Sequence, residues 1–268
     1  MKPRILAFIV ARDSDSASRV LEASREQTLA PDEILILDCS RSASPGAPAA
    51  ARIDGADPPV RTIATPGAKN LGDALNTAVR AVDPGLLSAR WWWILHDDSE
   101  PEATCLERLW EVADLGRTIA AAGPKQLDAR GVRILEVGIE ATASARRLES
   151  ILPGEIDQGQ YDGRSDVLGI GTAGMLVDPG AWEAVGGFDP ALGPFGDGLD
   201  FSRRLHRAGF RVVVVPGARI RHARASLVPR GPASPPAEGA SRGAGPDSAV
   251  RARTLKGDPA DPSFGARR

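Results

Sequence analysis

Cysteine is scarce in this 268-residue chain, which holds only Cys39 and Cys105, and neither sits in a context that resembles a metal-binding pair. A disulfide-rich secreted scaffold and a cysteine zinc site are excluded; a reduced cytoplasmic protein is expected, with a disulfide between the two as the alternative. Long apolar runs are missing as well, since no segment approaches the roughly 20 residues that cross a bilayer. The opening run behind Lys2 and Arg4 stops at Arg12-Asp13, so it reads as a first strand rather than a signal peptide. Nor is there an excess of charge of either sign. With 33 basic and 35 acidic residues the net charge is −2, which demands neither a membrane surface nor nucleic acid, and no nucleic-acid partner is expected. Lysine is confined to Lys2, Lys69, Lys125 and Lys256 and carries no mechanism, and no internal repeat is evident. What remains is ordinary for a soluble globular protein, 42% hydrophobic and 25% charged, at a length that suits one large α/β domain and a tail.

Apolar runs and turn signals alternate between strand and helix. A strand over 5–10, a helix over 17–27 with Ser14 and Asp15 as candidate caps, and a strand over 33–38 make an opening β-α-β unit. A Ser/Ala/Pro/Gly loop over 40–59, a strand over 60–64 and a helix over 71–82 follow, then a strand from Trp91 and a helix over 102–115. This order predicts an α/β fold with a Rossmann-like, mostly parallel sheet and helices on both faces. Beyond residue 115 the pattern is mixed. Strands are expected over 118–122, where Gly123-Pro124-Lys125 breaks the run, and over 132–140, 167–177 and 211–215; helices over 179–185 and 197–209 alternate with them. Over 226–268 roughly 30% of residues are Pro or Gly, against about 19% in the whole chain, and a flexible tail is expected there.

The most informative stretch is Trp91-Trp92-Trp93-Ile94-Leu95-His96-Asp97-Asp98, an apolar strand that ends in two carboxylates. Carboxylates at the tip of a core strand must face solvent or a ligand, because burying them unpaired costs several kcal/mol. A divalent cation is the natural partner, and capping of the helix that follows is the plainer alternative. Three further features fall at strand ends or in loops: Asp38 at the end of the second strand, Lys69-Asn70-Leu71-Gly72 before a helix, and the glycine-rich run Gly169-Ile170-Gly171-Thr172-Ala173-Gly174. Gly186-Gly187-Phe188-Asp189 and Phe195-Gly196-Asp197-Gly198-Leu199-Asp200-Phe201 complete the last of these.

Taken in this order, residues 5 to about 225 resemble the family 2 glycosyltransferases of GT-A fold. Ala181-Trp182-Glu183-Ala184-Val185-Gly186-Gly187-Phe188-Asp189-Pro190 is similar to the family's stretch before its acidic helix, and Trp93 to Asp98 to its metal-binding aspartate motif. The resemblance implies a GT-A domain over 1–225, with a nucleotide-binding half (1–115) and an acceptor and catalytic half (116–225). It implies that Asp38 contacts the base or ribose of a nucleotide, with Asn70 in the same donor site, and that Asp97 lies near the ribose or the metal shell. Asp98 would bind Mn2+ or Mg2+ bridging a diphosphate, and His222 matches a position where related enzymes place a histidine ligand. Two departures stand out. His96 replaces the acidic residue that commonly opens the aspartate motif, and Gly198 stands where the catalytic base is usual, so Asp197 is expected as base with Asp200 in support.

Plainer roles stay open at each position. Asp38 can cap a turn with Ser40 or Ser42, His222 can be a satisfied strand-end residue, and Arg203, Arg204 and Arg207 can solvate a helix face or meet a phosphate. Trp182 and Phe195 read as packing residues with sugar stacking as the alternative, and His206 as solvated. The resemblance implies an inverting, metal-dependent transfer of a hexosyl or deoxyhexosyl group from a nucleoside diphosphate sugar. Its acceptor would be a glycan or lipid-linked hydroxyl in cell-envelope polysaccharide synthesis, in the cytoplasm or at the inner membrane face through a longer parent chain. The alternative is a catalytically impaired module that binds nucleotide or glycan. A nucleotidyltransferase fits poorly, because Ala11-Arg12-Asp13-Ser14 is not a glycine-rich basic phosphate loop.

Overall fold

The structure is a computed structural model that describes residues 3–12, 17–40, 51–53, 55–142, 146–148, 150–192 and 196–224. The expected caps Ser14 and Asp15, Phe195 and the tail over 226–268 lie outside the described residues. In chain order the elements open with β1 (Ile5–Ala11), α1 (Ala17–Arg25), β2 (Glu33–Asp38), β3 (Ala51–Ile53), β4 (Val60–Ala64), α2 (Leu71–Ala81) and α3 (Pro84–Leu87). They continue with β5 (Trp91–His96), β6 (Ser99–Pro101), α4 (Cys105–Ala113), β7 (Ile119–Leu127), β8 (Ile134–Glu136), β9 (Glu140–Ala141) and β10 (Arg147–Leu148). The last are β11 (Met175–Val177), α5 (Pro179–Ala184), α6 (Asp197–Arg207) and β12 (Arg211–His222).

A strand buried on both faces reads as a continuous apolar run, and β1, β2 and β5 owe their place at the centre to this. Successive side chains on each go to opposite faces. Leu6, Phe8, Trp92 and Ile94 meet α2 through Ala74, Leu75 and Ala78; Ile5, Ala7, Ile9, Trp91 and Trp93 meet α1 and α4 through Val20, Leu106 and Leu109. The sheet has ten strands in the order β3-β4-β2-β1-β5-β11-β7-β12-β6, with β8 on β7. Strands β4, β2, β1 and β5 pair in parallel, as do β7 and β12, while β11 is inserted antiparallel between β5 and β7. The expected mostly parallel sheet with a mixed second half is what forms.

An aromatic cluster joins the halves. Trp182 of α5 meets Trp92 edge-on at 5.8 Å and Phe188 at 4.7 Å, and Phe188 lies 4.8 Å from Phe201 of α6. Trp182 is only 4% exposed, so its role is packing and the sugar-stacking alternative is set aside. α5 begins where Asp178 accepts from the backbone N–H of Gly180 and Ala181, with Pro179 in the first turn.

The second half corrects several expected boundaries. β7 runs straight through Gly123-Pro124-Lys125, because Pro124 comes after β11 has stopped pairing and so leaves no ladder bond unmade on that side. Lys125 ends up fully buried, with Nζ 2.8 Å from Asp157 Oδ1. β12 does not stop before Pro216; a register shift between Val215 and Arg219 absorbs the proline and the strand continues to His222. Ser99–Pro101 does not turn directly into a helix but pairs antiparallel with Ile220, Arg221 and His222, and α4 starts only at Cys105. Of the strand expected over 167–177 only Met175–Val177 forms, and that over 132–140 shrinks to Ile134–Glu136 and the start of Glu140–Ala141. Trp182→Ala is expected to lower the unfolding free energy by about 3–5 kcal/mol, measured by urea denaturation.

Candidate active site

The carboxyl ends of β1, β2 and β5 meet where the chain order turns back, β1 having β2 on one side and β5 on the other, the usual ligand position of open α/β sheets. A cavity of about 330 Å³ opens there. Its lining includes Arg12, Cys39, Asn70, His96, Asp97 and Asp98 from the first half, and Gln126, Glu136, Thr172, Asp197, His222 and Arg224 from the second.

Asp97 and Asp98 form the turn between β5 and β6. Ser99 Oγ closes it, donating to His96 O at 2.7 Å and accepting from His96 N at 3.2 Å. On the far side the backbone N–H of Ala223 donates to Asp98 O at 2.9 Å, fastening the end of β12 to the turn. His222 is thereby brought against Asp98, with Nε2 3.1 Å from Oδ1, while its Nδ1 lies 3.1 Å from Gln126 Oε1. The imidazole thus stands between two acceptors. A neutral ring donates to one only, so when Gln126 takes the N–H the other nitrogen turns a lone pair to a carboxylate, an arrangement that a cation or a second proton completes.

His96 joins this pair. Its ring stands perpendicular to that of His222 with centroids 5.2 Å apart, and its Nε2 is 2.9 Å from Thr172 Oγ1. Desolvation, followed by the neighbouring His222, lowers the His96 pKa to about 4, so the ring is neutral near pH 7 and carries a lone pair. His96, Asp98 and His222 each offer one ligand atom within 4.8 Å of the others, a donor set of two imidazoles and a carboxylate that suits a divalent metal.

Across the cavity, Asp197 begins α6 at 6% exposure and accepts from the Gly198 N–H at 2.7 Å. Burial lifts its carboxyl from the ordinary 3.8 to about 6, with the Gly198 N–H opposing the rise and Glu136 adding to it. The absence of a side chain at Gly198 has a steric cause: a Cβ there would lie 2.3 Å from the carbonyl oxygen of Ile170. The start of α6 is seated directly on the 169–171 backbone, with Asp197 beside the contact.

Residues 3–230 match the family described as Glycosyltransferase like family 2. This chain belongs to that family. Its fold is GT-A, similar to GalNAc-T7 solved with UDP, GalNAc and Mn2+ (TM-score 0.56, 12% identity, covering 82% of this chain and 44% of that one). It is also similar to the mannosyltransferase PcManGT from Pyrobaculum calidifontis in complex with GDP-Man and Mn2+ (0.52, 15%, 83% and 57%) and to S. aureus TarS (0.51, 11%, 81% and 36%). The glycosyltransferase chain thus spans between 36% and 57% of the length of these neighbours. Curated protein sequences contain no match.

Not every carboxylate expected at the site opens onto the cavity. Asp97 lines the cavity, but its carboxylate accepts from the Arg12 backbone N–H at 2.8 Å and from Arg12 Nε at 2.9 Å, and it is not part of the metal cluster. Asp38 Oδ1 accepts from Ser40 N at 2.8 Å, the turn-capping arrangement, and among the described residues Cys39 rather than Asp38 lines the cavity. Asn70 reaches the cavity wall yet spends its amide on the fold: Oδ1 caps α2 at Asp73 N, and Nδ2 donates to the carbonyls of Pro190 and Leu192. Asp200 lies apart from the cavity and instead holds Arg204, four residues on, which donates to the carbonyls of Val185 and Gly187. His206 is not simply solvated, since its Nε2 lies 3.0 Å from Val167 O.

Sequence reasoning noted His96 as a departure without giving it a ligand role, and did not single out Gln126 or Glu136. His96 carried a usable signal, because residues two apart on an extended chain face the same way and 96 and 98 are so spaced. Glu136 sits among the apolar residues 134–137, is 4% exposed, and accepts from Gly171 N at 2.6 Å while pairing with Arg147 at 2.6 Å.

Because the folded pKa of Asp197 exceeds the unfolded one, its protonated form favours the folded chain fully below pH 3.8, and that contribution is lost as pH rises through about 6. Asp197→Asn is therefore expected to stabilise the protein on the order of 2 kcal/mol at pH 8 and little at pH 4, read from urea melts at both. Gly198→Ala is expected to destabilise by about 1–3 kcal/mol, seen as a lowered Tm at either pH.

Proposed function

We propose that this chain transfers a sugar, with inversion, from a nucleoside diphosphate donor to a hydroxyl acceptor in the cavity at the tip of β5. The observation that carries the reading is the approach of Asp98 and His222 to 3.1 Å on one wall, with the buried carboxyl of Asp197 on the same cavity. Asp98 and His222 would hold Mn2+ or Mg2+, which when bound offsets as a Lewis acid the negative charge on the departing diphosphate. Three structural neighbours share the fold, and two of them were solved with Mn2+ together with UDP or GDP-Man. That supports a nucleotide-sugar donor here.

Asp197 acts as general base. It accepts the proton of the acceptor hydroxyl as that oxygen attacks the anomeric carbon from the side opposite the leaving group. Its pKa of about 6 suits the task, high enough to take a proton and low enough for the group to be ionised near pH 7.5. Asp97 and Arg12 hold the β1 and β5 ends at fixed spacing, so the donor wall is preformed. Asn70 and Asp97 belong to this donor wall as positioning groups, Asp38 fixes the turn after β2 through Ser40, and Asp200 buttresses α6 through Arg204. The acceptor class follows from family resemblance: a glycan or lipid-linked hydroxyl of a cell-envelope polysaccharide, met in the cytoplasm or at the inner face of the membrane.

Asp98→Asn is expected to lose both turnover and metal-dependent binding of UDP or GDP in calorimetry. Asp197→Asn should keep that binding while turnover falls about 100-fold or more, the scale of general-base catalysis. Full transfer activity in both variants would reject the assignment. In the unaltered protein kcat/KM is expected to rise with pH through about 6 as Asp197 ionises.

A further inference from the structure

We propose that His96 is a third metal ligand, so that two imidazoles and one carboxylate select a transition-metal ion such as Mn2+ or Co2+ against Mg2+. The inference rests on the metal-dependent reading of this cavity and deepens it, by naming the residue that decides which ion is taken.

Geometry comes first. His96 and Asp98 lie two residues apart where β5 leaves the sheet, and His222 arrives from β12, so three donors from two strands face one point within 4.8 Å of each other. The two rings are held edge to face rather than stacked, and the His222 Nε2 lies 3.1 Å from Asp98 Oδ1. Each ring is also steered by an uncharged partner, Thr172 Oγ1 for His96 and Gln126 Oε1 for His222. Partners of this kind fix the orientation of metal-bound imidazoles.

Chemistry then sets the preference. Mg2+ takes oxygen ligands in a strict octahedron and gives up water reluctantly, whereas affinity for imidazole sites rises from Mn2+ through Co2+. This cluster supplies only one carboxylate. The adjacent one that would add a second negative charge, Asp97, is committed to the Arg12 backbone and guanidinium. A structural role for His96, propping the 171–173 loop through Thr172, would need only that hydrogen bond and no placement beside His222.

The test uses the metals alone with the full chain. Mn2+ and Mg2+ are titrated by calorimetry, and the imidazole nitrogens coupled to bound Mn2+ are counted by pulsed EPR. Two imidazole couplings are expected, with Mn2+ bound about 100-fold or more tightly than Mg2+. His96→Asp should leave one coupling and lower that preference at least about tenfold, with circular dichroism confirming that the variant folds. A single coupling in the unaltered protein, or an unchanged preference in His96→Asp, would overturn the inference while leaving metal-dependent transfer standing. No Mn2+ binding at all would overturn both. Should His96→Asp fail to fold, the coupling count in the unaltered protein decides.

Discussion

The site depends on one antiparallel seam, the last residues of β12 paired with the turn and short strand that follow β5. Ile220, Arg221 and His222 lie opposite Pro101, Glu100 and Ser99, and the Ala223 N–H closes on the Asp98 carbonyl. That seam joins an imidazole and a carboxylate 124 residues apart in sequence. It exists only because β12 passes Pro216 without stopping. The register shift against β7 takes up the extra residues, so the strand regains its pairing at Arg219 and carries His222 to the carboxyl end of the sheet.

A second close approach shapes the opposite wall. The first turn of α6 sits on the 169–171 backbone, with room for no side chain at Gly198 and little at Gly171, where a Cβ would lie 2.5 Å from Gln126 Nε2. The same contact removes water from Asp197 and raises its pKa. Tight backbone packing therefore both excludes a side chain at Gly198 and raises the pKa of the neighbouring Asp197. Gly198 thus fits the packing at this point, and the carboxyl of Asp197 lines the cavity.

Carboxylates around the cavity divide by partner. Asp97 and Glu136 face guanidinium groups of Arg12 and Arg147 and serve to hold strand ends in place, as Asp200, outside the cavity, does with Arg204. Asp98 faces an imidazole and Asp197 a backbone N–H. An arginine partner holds a carboxylate in one orientation, whereas an imidazole neighbour suits metal binding and a desolvated carboxyl suits proton transfer. Arg12 Nε alone reaches both carboxylate oxygens of Asp97, at 3.2 and 2.9 Å.

Much of this protein was legible in its residues. Unbroken apolar runs at β1, β2 and β5 determined a parallel core covered on both faces, and the acidic doublet after the tryptophans marked the end of the sheet where the cavity opens, because periodicity and polarity are local properties of the chain. Boundaries in the second half were not legible. Pro124 and Pro216 look like breaks in isolation, yet their neighbours' pairing ends or shifts where each proline falls. Nor could the sequence sort its carboxylates, for Asp97 and Asp98 are adjacent and chemically identical until Arg12 claims one and His222 meets the other. Which acid is held, which is desolvated and which faces an imidazole depends on groups brought together from distant strands, and only the folded chain supplies them.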